Sequence, residues 1–253
     1  MASPKTIIVT GASRGIGLAA ARYLLTHKHN IVAVARSREP LQKLQSEFPG
    51  QVAILAGDLG NLSLNLGQEA VDIGISTYGR LHGLIVNHGV LNPVKRISET
   101  DAKEWSEAFD INVFSAIAMI KAALPSLRKT KGNIVLVSSG AAVGAYATWG
   151  AYGASKAVLN HVATTLAVEE PDVTTTSIRP GVVDTDMQRE LREVHHTIMD
   201  KKDAEKFATL KSGGKLLTPE QPGHVLAKLA IDSPKELSGK FYTWNDEALA
   251  AFQ

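Results

Sequence analysis

Short runs of continuously apolar residues recur along the chain, separated by longer stretches with helical character. Strands that are apolar at every position, rather than at alternate positions, are typical of a parallel sheet buried on both faces. The pattern predicts strands at 7–9, 31–35, 52–55, 81–87, 133–137 and 174–178, with a last strand at 241–244.

Between these strands lie stretches with helical composition, the clearest at 18–25, 41–48 and 151–166. Regular alternation of strands and helices predicts an α/β fold, a doubly wound parallel sheet flanked by helices on both faces. No repeat, low-complexity segment or linker divides the chain, so residues 1–253 are predicted to form a single domain.

The stretch 184–217 is the least regular part of the chain, with charges of both signs and the pair His195-His196. In a sheet of this type it would lie over the carboxyl ends of the strands, where ligands bind. We therefore interpret it as a lid over a substrate site. A mobile polar insertion is the alternative.

Composition narrows the classes of function. The chain has no cysteine, which excludes disulfides and cysteine-based metal sites, and we expect no metal centre. Such a composition fits the reducing cytoplasm, where we expect the protein to be located. A net charge of +2 is too slight to favour a nucleic-acid partner, and the apolar run at 6–10 is too short to span a membrane.

A glycine-rich segment follows the first predicted strand and opens the first helix. Free backbone N–H groups and the positive end of the helix dipole favour phosphate at such a place. We expect Gly11 to permit the tight turn, Gly15 to let the backbone approach a pyrophosphate, and Gly17 to allow close packing of helix on strand. The candidate cofactor-binding residues of this segment are Thr10, Gly11, Ser13, Arg14, Gly15, Ile16 and Gly17.

The residues after the second strand indicate which nicotinamide cofactor is bound. NAD sites place an acidic residue there to bind the ribose 2′-hydroxyl, whereas this chain has Arg36 and Ser37. Because a guanidinium matches a phosphate in shape and charge, Arg36 together with Arg14 favours NADP(H). The alternative is that both arginines are solvated surface side chains.

Tyr152 and Lys156 are four residues apart at the start of a predicted helix and therefore share one of its faces. An ammonium beside a phenol stabilises the phenolate, so we expect Lys156 to lower the pKa of Tyr152 and make its proton easier to transfer. By itself such a pair is equally typical of an ordinary helix surface.

The spacing Gly-x-x-x-Gly-x-Gly, combined with the Tyr152–Lys156 pair, resembles the short-chain dehydrogenase/reductase family in its most common form. The resemblance covers essentially the whole chain and implies a Rossmann-type sheet. It implies that Ser139, thirteen residues before Tyr152, binds the substrate carbonyl, a role for which Ser138 fits the family spacing less well. It also implies that Asn112 holds a water that links the lysine to solvent. The candidate catalytic residues are therefore Asn112, Ser139, Tyr152 and Lys156.

The family implies further contacts with the cofactor. An aspartate after the third strand binds adenine, and backbone and hydroxyl groups after the sixth strand fix the nicotinamide carboxamide. In this sequence the matching residues are Asp58, Leu59, Asn87, Gly89, Tyr152, Lys156, Pro180, Gly181, Val183 and Thr185. His88 departs from the family pattern, which has alanine between the asparagine and the glycine.

Within the family, the stretches 138–141, 151–157, 180–188 and 244–247 resemble the fungal benzil reductase branch, which is related to sepiapterin reductase. This implies an NADPH-dependent carbonyl reductase that transfers a hydride to a ketone or α-diketone, with Tyr152 as proton donor. Apolar and aromatic side chains suit such a substrate. Besides Ser139, the candidate pocket residues are Ala141, Val143, Tyr146, Trp149, Met187 and Leu191, each of which could pack in the core or at a subunit contact instead.

Two other functions are compatible with these residues. One is an NADP-dependent alcohol dehydrogenase that works in the oxidative direction. The other is a non-catalytic NADP(H)-sensing protein, which is disfavoured because all four catalytic residues are present. The family also implies a homodimer or homotetramer that pairs the helices of Asn112 and Tyr152. Ala116, Ile117, Ile120 and Val158 are candidates for that contact or for the core.

Overall fold

A sheet of seven strands forms the centre of the molecule, which a computed structural model describes for residues 3–253. The strands are β1 (Thr6–Thr10), β2 (Asn30–Ala35), β3 (Val52–Ala56), β4 (Gly83–Val86), β5 (Asn133–Val137), β6 (Thr174–Arg179) and β7 (Phe241–Thr243). Their order is β3-β2-β1-β4-β5-β6-β7, and every pair of neighbours is parallel. The predicted α/β class with a doubly wound parallel sheet is confirmed.

Helices cover both faces of this sheet. They are α1 (Gly15–Thr26), α2 (Arg38–Glu47), α3 (Leu66–Tyr78), α4 (Ala102–Phe109), α5 (Ser115–Thr130), α6 (Gly150–Glu169), α7 (Asp186–Glu190), α8 (Lys201–Ser212) and α9 (Glu220–Ile231). Short 3-10 turns occur at Leu62–Leu64, Ile97–Glu99, Gly140–Ala142, Lys235–Leu237 and Glu247–Phe252.

Burial on both faces explains why the strands are apolar throughout. Successive side chains of a strand point to opposite faces. Ile7 and Val9 accordingly lie in the core beneath α1, α2 and α9, whereas Ile8 lies in the core beneath α3, α5 and α6. A polar residue at any of these positions would lose its water without gaining a partner.

α4 and α5 belong to one continuous helical run that is not α-helical throughout. Between α4 and α5 it widens into a π-helical turn, Asp110–Phe114. By length and composition alone, the run Ala102–Thr130 could cross a membrane. In the fold, however, α5 contacts α3 and β4, and its residues Met119 and Leu127 are completely buried in the core. It therefore serves as a core helix of the sheet.

The stretch 184–217, called the lid below, is more regular than the sequence indicated. It holds α7, a π-helical segment at Leu191–His195, and α8. The mixed charges that looked irregular lie on the exposed sides of these short helices, and Phe207 is buried beneath them. The first helix also begins at Gly15 rather than at 18, because the glycine turn itself enters the helix.

Candidate active site

A cleft of about 680 Å³ opens at the carboxyl ends of the strands, beneath the lid. Most of the predicted site residues line it. They are Gly11, Ser13, Arg14, Gly15, Ile16, Arg36, Ser37, Asp58, Leu59, Asn87, Gly89, Ser139, Ala141, Tyr146, Trp149, Tyr152, Lys156, Pro180, Gly181, Val183, Thr185 and Met187. Thr10, Gly17 and Asn112 are buried and do not border the cleft, so they can act only through their neighbours.

The glycine turn between β1 and α1 has the geometry that a bound phosphate requires. Gly11 and Gly15 adopt φ angles of +65° and +54°, which side chains disfavour. A Cβ on Gly17 would lie 2.3 Å from the carbonyl oxygen of Gly11, so only glycine lets the helix start this close to the strand. The exposed backbone of the turn and the α1 N-terminus fit the pyrophosphate of a dinucleotide.

Thr10 and Asn87 hold the ends of β1 and β4 together behind this turn. The Asn87 backbone N–H donates to Thr10 Oγ1 at 2.9 Å, and the Asn87 side-chain amide donates to the Thr10 carbonyl oxygen at 3.1 Å. Thr10 is completely buried. Its predicted role in cofactor binding therefore reduces to holding the turn in place.

His88 continues this network toward the next helix, a role that the sequence did not predict. Its Nε2 lies 2.7 Å from Ser115 Oγ and its Nδ1 lies 2.7 Å from Thr10 Oγ1. Because Ser115 Oγ already donates to the Ile111 carbonyl at 2.6 Å, we assign Nε2 as a donor. In a neutral ring Nδ1 then accepts from Thr10 Oγ1, whose other acceptor, the Ile85 carbonyl oxygen, is farther away at 3.2 Å. Burial and the charge of Lys156 lower the pKa of His88 below its ordinary value of 6.5.

Asn112 lies in the π-helical turn and is fixed by three hydrogen bonds. Its Oδ1 accepts from the Val90 N–H at 2.8 Å, and its Nδ2 donates to the Val90 carbonyl at 2.9 Å and to Ser155 Oγ at 3.1 Å. Its side chain thus joins the loop after β4 to α6. The implied role in a water relay remains a prediction.

Ser139 follows β5 and caps the turn Gly140–Ala142. Its Oγ accepts from the Ala141 N–H at 3.1 Å. It also lies near the Tyr152 phenol and lowers the pKa of that group. The structure therefore brings Ser139 and Tyr152 together, as the thirteen-residue spacing implied.

Lys156 is buried beside them, and its Nζ donates to the Val137 carbonyl at 2.9 Å. The ammonium lies 5.8 Å from the centre of the Tyr152 ring. Burial lowers the pKa of Lys156 to about 8, because a low-dielectric site disfavours the charge.

The pKa of Tyr152 differs from the sequence-based expectation. We predicted that Lys156 would lower it, but burial of the phenol is the larger effect and raises it. Removing water from a group that must become an anion raises its pKa by more than the neighbouring Ser139 hydroxyl lowers it. Tyr152 is therefore protonated at neutral pH, the state that a proton donor requires.

Basic residues flank the far end of the cleft, where the adenosine part of a dinucleotide would lie. Arg36 and Ser37 are exposed at the end of β2. Arg14 is not free, since its guanidinium forms an ion pair with Asp186 of α7 at 2.7 Å. The sequence could not reveal this pair because Asp186 is distant along the chain.

Aromatic side chains form the near end of the cleft. The ring centres of Tyr146 and Trp149 are 4.7 Å apart, and Phe207 stacks on Trp149 at 5.6 Å with planes inclined by 14°. Tyr152 meets Trp149 edge-on at 5.9 Å. Phe207 was missed by the sequence reasoning. The signal that could have identified it is that Phe207 is a single aromatic residue in a charged stretch.

The remaining predicted pocket residues divide into two groups. Ala141, Met187 and Leu191 border the cleft as expected. Val143 was predicted wrongly: its side chain is 70% exposed and borders a second hollow on the outer side of the loop. Ser139 caps the 3-10 turn Gly140–Ala142; Ala141 within this turn borders both hollows, whereas Val143 at its end borders only the second.

Comparison with known proteins agrees with this geometry. A family model described as short chain dehydrogenase matches residues 5–196. The benzil reductase ((S)-benzoin forming) of Saccharomyces cerevisiae is 40% identical over 261 residues, covering 98% of this chain and 99% of the relative.

Solved structures agree as well. A short chain dehydrogenase/reductase from Saccharomyces cerevisiae has a TM-score of 0.95 at 40% identity, covering 98% of this chain and 99% of that chain. A short chain dehydrogenase from Shigella flexneri complexed with NADP has a TM-score of 0.80 at 26% identity, covering 96% and 97% of the two chains.

Proposed function

Because this chain belongs to the short chain dehydrogenase family of oxidoreductases, we propose that it is an NADPH-dependent carbonyl reductase for aryl ketones and α-diketones. The observation that carries the proposal is the convergence of Ser139, Tyr152 and Lys156 on a cleft with a glycine turn at one end and aromatic walls at the other. The similarity to a benzil reductase supports the substrate class.

The protein residues position the carbonyl and manage its proton. When bound, NADPH supplies the hydride to the carbonyl carbon. Ser139 donates a hydrogen bond to the carbonyl oxygen, where negative charge develops. Tyr152 then gives this oxygen its proton, and the ammonium of Lys156 stabilises the phenolate that remains. By family resemblance, Asn112 holds a water that links Lys156 to solvent, and the proton of Tyr152 is replaced along this path.

The preference for NADPH rests on charge at the end of β2. Arg36 stands where an NAD enzyme has an acidic residue, and Arg14 lies across the same end of the cleft. An incoming 2′-phosphate would compete with Asp186 for Arg14, and a dianion attracts a guanidinium more strongly than a carboxylate does. NADP in the Shigella relative is consistent with this preference.

The direct test is oxidation of NADPH and of NADH on addition of benzil, followed by absorbance, for the wild type and for Tyr152→Phe. We expect fast turnover with NADPH, slow turnover with NADH, and a loss of ~10²- to 10⁴-fold in kcat for the variant. NADPH should bind the variant as tightly as the wild type. Preference for NADH would refute the assignment of Arg14 and Arg36, and a fully active variant would refute the mechanism.

The assembly and the location are also proposed. Phe114 and Ile117 expose apolar surface beside Asn112, which suits a contact between the subunits of a homodimer or homotetramer. The absence of cysteine supports a location in the cytoplasm. Ala116 and Ile120, which the sequence left open as contact residues, are buried in the core. Light scattering coupled to size-exclusion chromatography would test the assembly, and a monomeric mass at micromolar concentration would contradict it.

A further inference from the structure

Arg179 brings a positive charge to the substrate end of the cleft. It is the last residue of β6, is half-buried, and borders the same cleft as Ser139 and Tyr152. Its backbone is fixed, because its carbonyl oxygen accepts from the Trp244 N–H at 2.9 Å. No role for this arginine followed from the sequence or from the proposed mechanism.

The guanidinium of Arg179 lies against the backbone next to Ser139. A Cβ built on Gly140 would lie 3.0 Å from Arg179 Cζ, 3.0 Å from Nε and 3.2 Å from one terminal nitrogen. Gly140 directly follows Ser139, whose hydroxyl is assigned to the reacting carbonyl. An oxygen bonded by Arg179 would therefore belong to the group next to that carbonyl.

The guanidinium of Arg179 is unpaired among the residues that the structure describes. Within residues 3–253, the Arg179 side chain makes neither an ion pair nor a hydrogen bond with another residue. Arg14, at the other end of the cleft, is paired with Asp186, and the nearby Lys156 donates to Val137. A half-buried charge without a partner has lost part of its hydration, and an incoming acceptor would restore it.

We propose that Arg179 binds an acceptor oxygen adjacent to the reacting carbonyl, with the carboxylate of an aryl 2-oxo acid bound most tightly and the second carbonyl oxygen of an α-diketone bound less tightly. The planar guanidinium can donate two parallel hydrogen bonds to a carboxylate but only weaker ones to a neutral carbonyl. The inference rests on the proposed function, because Ser139 and Tyr152 must place the reacting carbonyl.

Three ketones separate the chemistry of the second group. Phenylglyoxylate carries a carboxylate next to its ketone, benzil carries a second carbonyl, and deoxybenzoin carries neither. For Arg179→Met, we expect kcat/KM to fall ~10- to 100-fold with phenylglyoxylate and several-fold with benzil, and to change less than about twofold with deoxybenzoin. Arg179→Lys should recover only part of the loss, because an ammonium lacks the planar fork.

The matched control is Arg22→Met, which removes an arginine that pairs with Glu47 on the exposed side of α1. It should leave all three ketones unchanged. An equal loss on all three substrates in Arg179→Met would overturn the proposal. Weaker NADPH binding by the variant would do the same, since Arg179 would then serve the cofactor.

A second measurement separates this inference from the proposed function. Phenylglyoxylate is titrated into the complex of Tyr152→Phe with NADPH, and binding is followed by cofactor fluorescence. We expect binding that weakens ~10- to 100-fold when Arg179→Met is added. If the wild type reduces none of the three ketones and yet this Arg179-dependent binding is seen, the proposed function fails and the inference stands. Absence of binding, or binding independent of Arg179, overturns the inference.

Discussion

Two regions enclose the cleft, and they are held by different interactions. One is the lid, and the other, called the floor here, comprises the glycine turn, the catalytic residues and the buried residues that support them. On the floor, Asn112 bonds to Val90 and Ser155, and Lys156 bonds to the end of β5, all away from water. The lid is attached to the rest of the molecule by exposed ion pairs, among them Arg14–Asp186 and Arg96–Asp200, and by the contact of Phe207 with the aromatic wall.

These two kinds of attachment differ in strength. A buried polar group that loses its partner costs about 1–3 kcal/mol, whereas an exposed ion pair contributes about 0–1 kcal/mol and is screened by salt. We therefore predict that the floor is the more rigid of the two regions and that the lid is the more easily displaced. Substitutions in the two regions should accordingly affect different quantities.

The largest effect is expected on the floor, from Gly17→Ala. The added Cβ would lie 2.3 Å from the Gly11 carbonyl oxygen and 2.5 Å from Asn87 Nδ2, so the turn must move. A shift of about 1 Å there should weaken NADPH binding ~100-fold and lower the free energy of unfolding by about 1–3 kcal/mol. Cofactor titration and urea unfolding measure the two effects.

Gly144→Ala is the matched control for this change. A Cβ at Gly144 would meet nothing closer than 3.4 Å, and the residue lies outside the cleft. Gly144→Ala should leave the NADPH affinity and the free energy of unfolding unchanged. Normal NADPH affinity in Gly17→Ala would contradict the rigidity inferred for the floor.

The next effect is that of His88→Ala, and it should depend on pH. At pH 7 the variant loses two buried hydrogen bonds and should be less stable by about 2–4 kcal/mol. Below pH 6.5 the unfolded chain protonates this histidine while the folded protein keeps it neutral, so the wild type loses stability as pH falls. His88→Ala has no histidine to protonate at this position, so it lacks this loss of stability, which is at most about 1.4 kcal/mol per pH unit.

Unfolding at pH 7 and at pH 5 checks this prediction. The stability difference between wild type and variant should narrow at the lower pH. His196→Ala, at an exposed position in the lid, is the control and should show no such convergence. A difference that is constant between the two pH values would mean that His88 does not need to be neutral in the folded protein.

The smallest effect is expected in the lid, from Phe207→Leu. Loss of the stacking on Trp149 should raise KM for benzil about two- to tenfold, with kcat and NADPH affinity unchanged. A small aliphatic diketone, which has no ring to pack there, should be reduced equally well by both proteins. An equal rise in KM for benzil and for the aliphatic diketone would show that Phe207 acts by positioning the floor rather than by contact with the substrate.

The floor was largely predictable from the sequence because its determinants are local. The glycine turn and the Tyr152–Lys156 pair depend on backbone conformation and helix periodicity, which spacing encodes. The network of His88 was not predictable, because Thr10 and Ser115 approach it only when β1 and α5 pack. The same holds for the pKa of Tyr152, since burial is a property of the folded chain.

The lid was predicted as a region but not as a structure. Its short helices carry few apolar residues, so periodicity gave no signal, and its partners are remote in sequence. Arg14 pairs with Asp186, which is 172 residues away in the sequence.

Two features outside the lid also escaped prediction. Arg179, at the end of β6, lies against Gly140 in the turn after β5. Val143 was wrongly predicted to line the pocket, because its position depends on the capped turn that precedes it.

The strand order has a consequence for biosynthesis. β1 pairs with β2 on one side through Ile7 and Ile31, and with β4 on the other through Ile7 and Gly83. The first three strands and their helices can fold as they emerge from the ribosome, but β4 must then return across them to the opposite side of β1. Because such long-range parallel pairing is slow, we expect one backbone edge of β1 to remain unpaired in the nascent chain until β4 arrives. We therefore expect the glycine turn to be completed only when β4 has brought Asn87 against Thr10, and Tyr152 to join it after most of the chain has been synthesised.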